Sequence, residues 1–105
     1  MTPREQEFHN AMVDIYRRAR TECRYNAIRF LQMLTDYGGL GTAKRLLASD
    51  EVQYGFTELW EHGRLDLTVE AHVLQPEFRD LFTDVELQRA KSRLTAHGYD
   101  TDVAD

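Results

Sequence analysis

The chain has 105 residues, of which 42% are hydrophobic and 30% charged, and its formal net charge is −5. This size fits one domain whose core needs no metal, and the single cysteine excludes an intramolecular disulfide framework. The sequence contains neither the ~20-residue apolar run of a membrane span nor an N-terminal secretory signal, so we expect a cytoplasmic protein with no membrane partner.

The charge is unevenly distributed along the chain. Residues 1–48 carry eight Lys and Arg against five acids, which gives +3, whereas residues 49–105 carry five against thirteen, which gives −8. This asymmetry predicts a polarised surface that can dock a charged partner. The overall acidity disfavours sequence-independent nucleic-acid binding, because such binding relies on Lys and Arg neutralising phosphates.

The N-terminal third predicts a helical spine. Thr2 can cap a helix with Pro3 at its first position, and Glu5 completes a capping box. Apolar residues then recur at mostly helical steps: Phe8, Met12, Ile15, Ala19, Cys23, Phe30, Leu34 and Tyr37. We predict either one helix of about 35 residues over 3–37, or two nearly collinear helices with a break near 24–26, ending at Gly38.

The remaining chain predicts several short elements. Short helices are expected over 43–47 and 56–61, the second closed by Gly63. Residues 64–74 alternate in a strand-like way, but Thr68 can cap a helix and no second strand is available, so we predict a loop followed by a helix. Further helices are expected over 76–82 and from a capping box at 83–86 to Gly98.

These elements predict an all-α fold in which a long N-terminal helix packs against four or five short helices. Residues 1–99 form the single helical domain, and residues 100–105 form an acidic, disordered tail.

One candidate binding surface is a row of arginines on the N-terminal helix. Arg17, Arg20 and Arg24 are separated by three and four residues, so their guanidinium groups lie along one helix face. Such a row can bind nucleic acid or an acidic protein. It can equally be a solvated face whose charges pair with acids of the same domain.

A second candidate surface surrounds the only tryptophan. Trp60 is followed by the Gly63 stop and by Arg64 and Asp66. We expect Trp60 to fill the core and Arg64 to form a carboxylate fork that fixes the loop. The alternative is a recognition surface made of Trp60, Arg64 and Asp66.

The sequence offers little support for catalysis or metal binding. None of the four histidines belongs to HExxH or to zinc-finger spacing, so we predict no metal and no cofactor. Glu61, His62 and Asp66 would make a small acid–base site if they converged with Glu70. Cys23 lies on the apolar face of the spine, where a buried thiol is expected.

Four segments resemble parts of small uncharacterised bacterial proteins. They read GGLGTAKRLL, GFTELWEHGRLDLTVEAHVL, LFTDVELQRAKSRL and the closing HGY, and the resemblance covers about residues 25–99. The resemblance implies a bacterial helical domain and carries no activity or site residue.

Together these observations favour a non-enzymatic adaptor or inhibitor of the bacterial cytosol that binds another protein. Homodimerisation is expected too, because a 35-residue helix has more apolar surface than so small a domain covers. The alternatives are a nucleic-acid-associated accessory protein that uses the arginine row and a small enzyme with its site near 61–72.

Overall fold

The computed structural model describes residues 2–49 and 54–99, and within these ranges it contains helices and no strand. The helices are α1 (Pro3–Glu22), α2 (Ile28–Ala48), α3 (Tyr54–Glu61), α4 (Val69–Val73) and α5 (Asp84–Ala96), with single 3-10 turns at Leu65–Leu67 and Arg79–Leu81. The predicted all-α class and the helical assignment of the segment after residue 64 are confirmed. The tail predicted at 100–105 lies outside the described residues.

The predicted spine is two antiparallel helices. The α1 helix ends at Glu22, and the chain reverses through Arg24, whose φ of 55° lies in the left-handed region. The pairing of the helices is fixed near the turn by the Tyr16 hydroxyl, which donates to Asn26 Oδ1 at 2.7 Å. The break predicted near 24–26 is therefore in the right place. The prediction of a single helix or of two nearly collinear helices over 3–37 is wrong. Folding back lets the two apolar faces cover each other.

The predicted helix end at Gly38 is a kink instead. Gly38 adopts φ 76° and ψ 172°, a conformation essentially restricted to glycine, and α2 continues beyond it to Ala48. The helix predicted over 43–47 is therefore the second half of α2. At the start of this half the Gly39 N–H donates to His9 Nδ1 at 2.8 Å, and a Cβ on Gly39 would lie 2.5 Å from His9 Cα.

The centre of the core contains a cluster of aromatic rings. The Phe8 ring meets the rings of Phe78 and Phe82 edge-to-face, with centroids 5.1 and 5.3 Å apart. Met12 and Leu47 are fully buried in the same cluster. These contacts join α1 and α2 to the segment that leads into α5.

Two arginines of α5 cap the end of α2. Arg89 donates to the carbonyl oxygens of residues 47, 48 and 49, at 3.1 to 3.3 Å. Arg93 donates to the Leu46 carbonyl at 3.0 Å and also to that of Ser49. The carbonyl groups that a helix leaves without intrahelical partners are therefore satisfied by side chains from a distant element.

Candidate binding site

A half-open cavity of about 470 Å³ lies between α1, the start of α2, α3 and residues 67–70. Its walls are mainly apolar and come from separate elements: Ile15, Ala19, Phe30, Met33, Phe56 and Leu59. A cavity of this size and character is suited to a small ligand or to a few apolar side chains of a partner. We call it the cleft.

The α1–α2 turn forms one side of the cleft mouth. Tyr25, Asn26 and Ala27 line it, and the hydrogen bond from Tyr16 to Asn26 holds the turn in place. The Tyr25 hydroxyl lies 3.5 Å from where a Cβ on Gly55 would stand, so α3 approaches closely on the opposite side. Burial, and secondarily the nearby Glu58 carboxylate, raise the pKa of Tyr25.

Among the described residues one carboxyl group lines the cleft, that of Glu70, and it is already engaged by the protein. Glu70 is only 4% exposed and accepts a hydrogen bond from Arg93 at 3.1 Å. Burial raises the pKa of Glu70, although the Arg93 guanidinium acts in the opposite direction. The ion pair links α4 to α5 behind the cleft wall.

Arg29 lines the cleft, and Arg20 and Arg24 neighbour residues that line it near the α1–α2 turn. Arg24 precedes the lining residue Tyr25, and Arg20 follows the lining residue Tyr16 by one helical turn. All three side chains are exposed. Within the described residues none of the three has a carboxylate partner. We call these residues the arginine rim.

The predicted arginine row is therefore divided. Arg17 forms an ion pair with Asp14, and its position on the helical wheel is turned away from the cleft-lining residues of α1. Arg20 and Arg24 belong to the rim, whereas the predicted binding role of Arg17 has no support from the cleft geometry.

The expected fork at Arg64 is present and fixes the corner after α3. Arg64 donates to both carboxylate oxygens of Asp66, at 3.0 and 3.1 Å, and to Glu22 of α1 at 2.6 Å. Glu22 also accepts a hydrogen bond from Arg18, and the two guanidinium groups lower the pKa of Glu22 to about 2. Arg64 and Asp66 therefore have structural partners, and their role in partner binding stays a prediction.

Trp60 does not fill the core, so that expectation is wrong. Its side chain is 46% exposed, and its ring meets the His97 ring edge-to-face at 5.1 Å. Among residues 55–61 of α3, Phe56 and Leu59 are buried instead. The spacing of apolar residues in α3 allows either face of the helix to point towards the core. Which face is buried depends on where α5 packs.

The residues of the predicted acid–base site do not interact with one another as a site, and each of those below contacts a different group. The His62 ring contacts the Glu58 carbonyl at 2.9 Å, Asp66 binds Arg64, and Glu70 binds Arg93. The Cys23 thiol is buried, and burial raises its pKa. Among residues 2–49 and 54–99 there is no group of three or more potential metal ligands.

Sequence reasoning overlooked most of the cleft. The sequence gives no signal for Met33, it suggests Glu70 only as part of an acid–base site, and helical periodicity puts Phe30 on the apolar face of a straight spine. The cleft exists because the chain reverses at Arg24 and bends at Gly38. Periodicity within a helix contains no information about such reversals.

Comparisons of the chain with protein-family models, curated proteins and solved structures find no significant match. In the part of the chain that the structure describes, no helix is long and apolar enough to cross a membrane.

Proposed function

We propose that the chain is a non-enzymatic adaptor or inhibitor that holds a segment of another protein in the cleft. The observation that carries this proposal is the continuity of the cleft with exposed apolar surface. Ile28 lines the cleft and is 63% exposed, and Leu31, three positions later on the same helix face, is 38% exposed. The combined surface is larger than the cavity alone.

The shape of this surface favours a peptide segment over a compact ligand. A small molecule that fills the cavity would leave Leu31, which does not line it, in water. A helical or extended segment covers both Ile28 and Leu31, because its apolar side chains enter the cleft while its backbone lies over α2. Removing this apolar area from water would supply the main driving force, at about 25 cal/mol per Å².

A second contact area of the proposal is the face around Trp60. Its exposed ring lies on the helix that also provides Phe56 and Leu59 to the cleft. Large aromatic side chains are typical of the centres of protein interfaces. Arg64 and Asp66 follow in the chain and belong to this proposed area.

The proposed setting is the bacterial cytosol. It is motivated by the resemblance of residues 25–99 to small bacterial proteins. The test of function does not depend on that setting.

The proposal is tested by selecting peptides on the purified protein. A random peptide library is panned against the wild type, and the selected peptides are labelled and titrated by fluorescence anisotropy. Ala27→Phe places a ring at the cleft mouth, and Ser92→Phe adds the same ring on the exposed face of α5. We expect Ala27→Phe to abolish binding and Ser92→Phe to leave it unchanged.

Circular dichroism first checks that both variants keep their helix content. Failure to select any peptide would contradict the proposal, as would peptides that bind both variants equally. Ala27→Ser changes the same turn residue but keeps the mouth open. If this variant binds the peptides, the loss in Ala27→Phe results from filling of the cleft and not from disturbance of the turn.

A further inference from the structure

We infer that the segment held in the cleft is acidic and amphipathic, with apolar side chains entering the cleft and Asp or Glu residues meeting the arginine rim. This inference rests on the proposed function and identifies the chemistry of its partner. It concerns the three rim arginines, which have no carboxylate partner within residues 2–49 and 54–99.

The distribution of ion pairs singles out the rim. Four other Lys and Arg residues of α1 and α2 have acidic partners: Arg4 binds Asp80, Arg17 binds Asp14, Arg18 binds Glu22, and Lys44 binds Glu86 at 2.7 Å. The remaining one, Arg45, lies over the Tyr37 ring. The chain holds 18 acids against 13 Lys and Arg, so acids are plentiful. Three arginines with no such partner in the described part of the chain, close together near the cleft, form a local positive surface on an acidic protein.

Among the described acids, the one that lines the cleft and the one near its lining residue Tyr25 do not remove this positive charge. Glu70 is engaged by Arg93 behind the wall. Glu58, on α3, is close enough to raise the pKa of Tyr25, and it contributes one negative charge against the three positive charges of the rim. The electrostatic complement of the mouth is therefore an anionic group.

The exposed apolar residues decide between classes of anionic partner. Ile28 and Leu31 lie beside Arg29 on the first turns of α2. A nucleic-acid backbone would neutralise the arginines but leave these side chains in water, and the net charge of −5 would oppose it over the rest of the surface. An acidic amphipathic helix satisfies the charges and covers the apolar residues together.

The test uses three labelled helical peptides with one apolar face and different flanking residues, namely Glu, Gln or Lys. We expect the Glu peptide to bind wild type about tenfold more tightly than the Lys peptide, with the difference shrinking as salt is added. Replacing the rim by Arg20→Glu, Arg24→Glu and Arg29→Glu should reverse the order.

The matched control carries the same charge change outside the rim, as Arg4→Glu, Arg17→Glu and Lys91→Glu. Arg4 is sixteen positions from Arg20 on α1, about 24 Å along the axis. This control should keep the preference for the Glu peptide. Circular dichroism confirms the fold of both triple variants.

The possible outcomes separate this inference from the proposed function. If all three peptides bind equally and only Ala27→Phe abolishes binding, the inference is overturned and the proposed function stands. If none binds and library selection also fails, both are overturned. If a 20-nucleotide single strand binds wild type but not the rim variant, while no peptide binds, the partner is nucleic acid. Self-association lost in Ala27→Phe by sedimentation would instead identify a second copy as the occupant and overturn the inference.

Discussion

The imidazole of His9 accepts a hydrogen bond from the backbone N–H of Gly39, at 2.8 Å, where α1 and α2 come closest. This N–H begins the second half of α2 and has lost its helical acceptor because of the kink at Gly38. A side chain of α1 thus performs the capping that the sequence of α2 does not provide.

The close approach at this point predicts a large effect of Gly39→Ala. The added methyl would lie 2.5 Å from His9 Cα, and a backbone atom cannot move without separating the helices. We expect the free energy of unfolding to fall by about 3 kcal/mol. Denaturation with guanidinium chloride measures the change.

Gly63→Ala is the control for the Gly39 experiment. Gly63 has a φ of 69° with nothing within 4 Å of the added methyl, so its cost is only that of the left-handed backbone, about 1 kcal/mol. Equal losses in the two variants would show that steric contact with α1 is not the cause.

A buried hydroxyl predicts that one substitution stabilises the fold. Thr42 is fully buried, and its Oγ1 has no hydrogen-bond partner among the residues that the structure describes. Thr42→Val keeps the shape and removes the unsatisfied group, so we expect a gain of about 1 kcal/mol in thermal or chemical denaturation. In the exposed control Thr35→Val, whose hydroxyl donates to the Leu31 carbonyl at 3.1 Å, no gain is expected. A loss in Thr42→Val would mean that the hydroxyl is satisfied.

The ion pair behind the cleft predicts unequal effects of single and double substitution. Glu70→Leu leaves the Arg93 guanidinium buried without its carboxylate, and we expect a loss of about 3 kcal/mol. Combining it with Arg93→Met should recover part of this loss, because the buried charge is then absent. The recovery is partial since Arg93 also caps α2. If the double variant loses more free energy of unfolding than the two single variants lose together, this account is contradicted.

The Glu22 network predicts a specific dependence of stability on pH. The pKa of Glu22 is about 2 in the folded chain, below its ordinary value of 4.5, because Arg18 and Arg64 hold the charged form. The stabilisation is therefore complete above pH 4.5 and is lost as the pH falls towards 2. Glu22→Gln should make unfolding less dependent on pH in this interval. The exposed Glu77→Gln serves as the control and should keep the wild-type dependence.

The features that the sequence predicted correctly are those that depend on local signals. Both capping boxes form, with the Thr2 and Thr83 hydroxyls accepting from the N–H groups of Glu5 and Glu86. The buried positions Phe8, Met12, Ile15 and Ala19 follow from helical periodicity. These features involve residues within one turn or along one face, so a single helix determines them.

What the sequence did not predict depends on the direction of the chain between elements. Arg24, a non-glycine residue, occupies the left-handed conformation that reverses the spine, and Gly38 bends a helix that its own sequence would have ended. Both outcomes result from tertiary packing, which outweighs local propensity. The cleft could not be foreseen because its walls come from five separate segments of the chain.

The capture of the α2 carbonyl groups by Arg89 and Arg93 has a consequence for folding. Donors and acceptors lie 40 to 47 residues apart, so the last turn of α2 is completed only when α5 has docked. The stabilities of α2 and α5 are therefore coupled, and partial unfolding of one helix exposes the other. We expect hydrogen exchange to report one cooperative unit spanning both helices, with no independently unfolding C-terminal segment.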